Sequence, residues 1–157
     1  LSQYREIEHF PKAWIFRRED PKVTAEDFAQ IRLLSETAAA NIWRDYISSD
    51  HLYPELLDGD HWLTTQACAR CGWEARWESD DSVLPEEIIE HLQNWGDDTT
   101  VWFCCHSDLC FETTWGVFQR TWKAFLFLDT GPVLLGRKKK QAVQFYSDGT
   151  ANLSLRG

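Results

Sequence analysis

Apolar residues recur at helical spacing in two stretches near the start of the chain. Phe28, Ile31 and Leu34 follow Thr24 and Asp27, a hydroxyl and a carboxylate placed as in a capping box. This pattern predicts a helix over 24–34. Ser35 suits the cap of a second helix over 35–48, with Ala38, Ile42, Trp43, Tyr46 and Ile47 recurring along it. Pro54 and Gly59 then break the period, and 62–84 reads as irregular chain with short extended pieces between Cys68 and Trp77. A third helix is predicted over 85–95. Pro85 suits its first turn, Ile88, Ile89, Leu92 and Trp95 share a face, and Gly96 ends it.

From residue 100 onward the pattern changes to that of strands. TVWFCC and LCFETTW flank HSDL and read as a hairpin with a loop over 106–109. Phe118, Trp122 and Phe125 return to helical spacing and place a short helix between strands. FLFLD and VLLG, joined through TGP, read as a second hairpin. The last one, QAVQFYSDGTANLSL, can be argued in register. A two-residue loop at Asp148-Gly149 would set Val143 and Phe145 opposite Ser154 and Asn152. A three-residue loop over 147–149, with Gly149 left-handed, sets them opposite Leu153 and Ala151, which buries one face.

These elements predict an α+β fold in a single compact domain over 1–157: N-terminal helices, then an antiparallel sheet with one intervening helix. Trp43, Ile88, Leu92, Phe103, Phe118, Trp122, Phe125, Phe127 and Phe145 are the expected core. A chain of 157 residues is long enough to fold without a metal or disulfide. Nine tryptophans, nine phenylalanines and four tyrosines exceed what composition alone leads one to expect, so a few are left over for a binding surface.

Net charge is −9. Such a surface disfavours nucleic acid and acidic membranes and permits a basic protein partner. No apolar run reaches the roughly 20 residues of a membrane span. The opening LSQYREIEHF lacks the basic-then-apolar order of a secretory signal, and five cysteines without framework spacing suit a reducing compartment, so a cytoplasmic location is expected.

Candidate chemistry centres on CARCGW. Cys68 and Cys71 have the spacing of half a zinc knuckle, and the second half would come from the strands. With a loop over 106–109, Cys105 lies across from Cys110, and Cys104 points to the opposite face. A closed structural zinc site at Cys68, Cys71, Cys105 and Cys110 is therefore one reading. Buried free thiols are the other. Asp58, Asp60 and His61 could ligate a metal but read more plainly as a polar loop. A thiol nucleophile beside His106 would need a third, orienting group. Asp80, Asp81, Glu86 and Glu87 suit the positive start of the third helix, and the basic run Arg137–Lys140 suits a protected strand edge.

The stretches AWIFRREDPKVT, WESDDSVLPEEI, ETTWGVFQRTWKAFLFLDTGPVLLG and AVQFYSDG together resemble a family of bacterial proteins classed as a domain of unknown function. The resemblance covers nearly the whole chain. It implies a compact single-domain cytosolic protein and brings no reaction, ligand or catalytic residue with it; a zinc site would be a feature of this chain and not of the family. Two functions remain in view. One is a non-enzymatic interaction protein. The other is a small enzyme whose His, Asp and Cys groups converge only in the fold. A deep polar cleft would favour the enzyme, and a flat acidic or aromatic patch would favour the interaction protein.

Overall fold

A computed structural model describes residues 3–18, 22–57, 59–128 and 131–156. Its strands are β1 (Tyr4–Arg5), β2 (Arg32–Leu34), β3 (Ala67–Gly72), β4 (Thr100–His106), β5 (Leu109–Thr114), β6 (Val133–Gly136), β7 (Gln141–Phe145) and β8 (Thr150–Leu155). They form one eight-stranded sheet in the order β1-β2-β5-β4-β6-β7-β8-β3, antiparallel at every junction. The described α-helices are α1 (Ala25–Phe28), α2 (Glu36–Ile42), α3 (Trp62–Thr65), α4 (Glu74–Glu78), α5 (Glu86–His91) and α6 (Trp115–Leu128). None is long and apolar enough to cross a membrane.

Alternation along the central strands divides the core into two layers. Val101 and Phe103 of β4, Phe111 of β5, Leu134 of β6, and Val143 and Phe145 of β7 join one cluster. Trp102 and Cys104, Cys110, Val133 and Leu135, and Ala142 join the other. Both faces are thus covered, which explains the near-continuous apolar runs VWFCC and VLL. The first cluster takes in α6 and the 3₁₀ turn Ala13–Arg17. Phe125 sits at its centre, with ring centroids 4.9 Å from Phe103, 5.2 Å from Phe16 and 5.3 Å from Phe118. Each such pair contributes about 0.5–1.5 kcal/mol beyond area burial. The second cluster takes in α2, the π-turn Trp43–Ile47 and Leu63 of α3.

Local signals were obeyed where a side chain meets the backbone directly. Thr24 caps α1 by accepting from the Asp27 amide, and Ser35 caps α2 by accepting from the Ala38 amide. The β7–β8 hairpin has the three-residue loop: Val143 pairs with Leu153, Phe145 with Ala151, and Gly149 lies at φ +89°.

The order of helices first and sheet second is corrected. Strands β1, β2 and β3 come from the first half, and α1 stops at Phe28, giving way to β2. Ile31 and Leu33 enter one core cluster and Leu34 the other, so the helix-like spacing of Phe28, Ile31 and Leu34 spans the two sides of a sheet. FLFLD is not a strand: α6 continues through Leu128, while Asp129 and Thr130 lie outside the described residues. Phe127 is therefore exposed instead of core, whereas the other expected core residues are buried. Arg137–Lys140 joins β6 to β7, two interior strands, so it guards no sheet edge.

Candidate functional site

The cysteine register is the first correction at the site. The β4–β5 loop is the two-residue turn Ser107-Asp108, closed by His106 opposite Leu109. A register step between Cys104 and His106 places the bulge at Cys105 and brings Cys104 opposite Cys110, with their sulfurs 3.4 Å apart. Cys105 packs into the other core cluster. Cys71 shares that cluster, but β3 and β4 are separated by three strands, a span of about 19 Å at the usual strand spacing. Cys68 is exposed on the edge strand. Cys68, Cys71, Cys105 and Cys110 are thus not brought together, and among the described residues no group of three or more His, Cys, Asp or Glu is placed to hold a metal ion. Burial pushes the Cys71 thiol up to about 11, with the Glu87 carboxylate adding to it. Cys110 is raised well above its ordinary value, first by burial and then by its hydrogen bond with Cys104. Both changes oppose the thiolate that a metal or a nucleophilic reaction requires.

The loop histidine is also accounted for. His61 Nδ1 accepts from the Leu63 amide and caps α3, and its Nε2 lies 2.6 Å from the Ile47 carbonyl oxygen. With both nitrogens engaged, His61 ties α3 to the π-turn. Asp58 lies outside the described residues. Glu86 and Glu87 occupy the first turn of α5, as their charge suggests.

A surface feature that the spacing did not single out lies on the outer side of α6. Phe118, Trp122 and Phe125 face the core, and Phe127 lies about 180° round the helix from Phe118. Its ring stacks on Trp77 of α4, with centroids 6.0 Å apart and planes at 19°, and meets Trp14 edge-on at 6.2 Å. Trp14 is 51% exposed and Phe127 40% exposed. The Arg18 guanidinium lies 4.3 Å from the Phe127 ring centroid and 5.9 Å from that of Trp14. Trp77 is held in place by its indole N–H, which donates to the Lys123 carbonyl at 2.9 Å.

Trp77 and Phe127 border a cleft of about 580 Å³. The cations lining it are largely used internally. Arg18 stacks as described, Lys123 Nζ donates to the Ser79 carbonyl at 2.7 Å, and Arg120 forks onto Asp27, while Lys22 is exposed with no ion pair to a described residue. Glu78 and Asp80, which line the same cleft, make no ion pair with any described residue, and Glu74, Asp81, Glu86, Glu87 and Glu90 are exposed on the same stretch of chain. The sequence signal for this platform was the surplus of aromatic residues; a helix carried past Phe125 would have turned Phe127 outward.

No curated protein and no solved structure matches this chain. A family model does match, over residues 4–154, and takes in every strand but the last residue of β8. By that match the chain belongs to the family described as protein of unknown function (DUF2947).

Proposed function

We propose that the protein is a non-enzymatic interaction module that docks a basic protein partner on the platform of Trp14, Trp77 and Phe127. The observation that carries this reading is the exposure of Trp14 and Phe127 beside a cleft in which Glu78 and Asp80 make no ion pair with a described residue. Large rigid aromatics give contact area at low entropic cost, and such residues dominate binding energy at protein interfaces. Glu78 and Asp80, with the net charge of −9 behind them, select a cationic partner and steer its approach. The same charge disfavours duplex nucleic acid.

The test is titration with a lysine-rich peptide carrying one tryptophan. Binding should be saturable, should weaken as salt rises, and should weaken by about ten-fold or more in Trp14→Ala. Reversing Glu78 and Asp80 to lysine should abolish it. Binding unchanged by both variants would exclude this face. The second reading, a small enzyme, draws on one observation: His106 Nδ1 lies 2.7 Å from Asp108 Oδ1, the arrangement in which a carboxylate orients an imidazole.

A further inference from the structure

A second cleft, of about 540 Å³, opens where the chain around the 3₁₀ turn Pro54–Leu56 arches over the ends of β4 and β7. The Ser107 amide donates to the Leu52 carbonyl at 2.9 Å and ties this arch to the hairpin tip. Tyr53, Glu55, His106, Gln144 and Tyr146 line the cleft, and no lysine or arginine among the described residues does.

Three polar groups in it are left with work to do. Asn152 Nδ2 donates to the Tyr146 hydroxyl at 3.1 Å, and that hydroxyl donates its one proton to Gln144 Oε1, also at 3.1 Å. The direction of this chain fixes the Gln144 amide: its oxygen is occupied and its NH₂ is turned away. Gln144 is only 5% exposed, yet its Nε2 has no partner among the described residues. Among the described residues the fully buried side-chain polar atoms without partners are Thr113 Oγ1 and Arg156 Nη1, so the Gln144 NH₂ is wetted, and the cleft it lines is where it meets water. Next, His106 Nδ1 lies 2.7 Å from Asp108 Oδ1; the tautomer that donates there leaves Nε2 as an acceptor with no described partner. The Tyr53 ring lies 5.1 Å from the imidazole. Finally, Glu55 is exposed and unpaired among the described residues.

One donor, two acceptors of which one is charged, and two aromatic rings define a ligand chemistry. We propose that the cleft binds a small cationic amide, with its carbonyl accepting from Gln144 Nε2 and its ammonium or guanidinium directed to Glu55 and His106 Nε2. An anion finds no cation in this lining, and a fully apolar ligand would strand the Gln144 donor, at a cost of about 1–3 kcal/mol. The site stands apart from the aromatic platform and does not depend on it.

The experiment is calorimetric titration of the whole chain with three probes: L-argininamide, L-citrullinamide, in which a neutral urea replaces the guanidinium, and agmatine, which keeps the guanidinium but lacks the carbonyl. Argininamide should bind saturably and about ten-fold tighter than either of the others. Glu55→Gln, a change on an exposed turn, should bring argininamide to within about two-fold of citrullinamide. Gln144→Leu should bring it to within about two-fold of agmatine. If the Leu variant does not fold, the agmatine comparison on the parent protein still decides the carbonyl contact. Equal binding of the three probes, no saturable binding at millimolar concentration, or a charge preference that survives Glu55→Gln would overturn the assignment.

Discussion

Adding one methyl group at Gly136 tests the packing that joins the α5 segment to the sheet. Gly136 ends β6, and a Cβ built there would lie 2.8 Å from Trp95 Cζ2, 2.9 Å from Trp95 Cε2 and 3.0 Å from Lys139 Cγ. Unstrained carbon contacts lie near 3.5–4.0 Å, so roughly 0.7 Å must be recovered. Lys139 is a flexible chain and can give. Trp95 cannot move freely: it is 4% exposed, its indole N–H donates to Gln141 Oε1 at 3.2 Å, and its ring packs edge-on against Trp115 at 5.4 Å. Overpacking against a held aromatic costs about 1–3 kcal/mol. For a chain of 157 residues that is a fall in Tm of about 3–9 °C. Urea unfolding followed by tryptophan fluorescence, together with calorimetry, should show Gly136→Ala shifted to lower midpoint with unchanged slope. The control is Gly59→Ala, where nothing lies within 4 Å and the change should stay within about 0.5 kcal/mol. Trp95→Leu, itself destabilising, should remove most of the added cost of Gly136→Ala in the double variant. A Gly136→Ala protein as stable as its parent, or a penalty undiminished in the Trp95→Leu background, would refute the argument.

Two further outcomes follow from buried ionisable groups. The Cys71 thiol is held up to about 11 from an ordinary 9.0, so the unfolded chain releases its proton first; the associated stability is complete below pH 9 and is lost as pH rises from 9 to about 11. Cys110 adds to the same limb, so the check is a difference: Cys71→Ala should flatten the alkaline fall in urea midpoint relative to the parent, and an identical slope would count against the burial argument. Arg120→Ala should cost about 1–2 kcal/mol, because Arg120 Nε and Nη2 together grip an Asp27 carboxylate whose side chain is only 10% exposed, although the arginine itself is largely in water. Arg120→Lys should recover less than half of that in the same unfolding assay, since an ammonium cannot reproduce the fork.

What was legible in the sequence, and what was not, follows from how far apart the interacting groups lie along the chain. The caps at Thr24 and Ser35 each depend on an amide three residues away, and the β7–β8 register depends on one turn whose Gly149 requires left-handed backbone. Such local chemistry leaves one solution. The turn Ser107-Asp108 carries no comparable marker, and the bulge at Cys105 carries none at all. A one-residue register step there exchanges Cys104 for Cys105 opposite Cys110, and the expected four-sulfur site disperses. Strand β2 is a third case. The helical period of Phe28, Ile31 and Leu34 is broken because Arg32 and Leu33 pair with Glu112 and Phe111, far along the chain, and put Leu34 on the opposite side of the sheet from Ile31.

The candidate sites obey the same rule. Both clefts are assembled from segments whose relation only the folded sheet establishes: Trp14 and Trp77 against Phe127, and Tyr53 and Glu55 against His106 and Gln144. In the first, the outward position of Phe127 is a consequence of the inward position of Phe125, because two residues along a helix turn a side chain by about 200°. The ring that locks α6 into the aromatic core thereby fixes which ring remains for a partner. Packing and recognition share one helix, and a variant that shifts Phe125 would displace the platform without touching it.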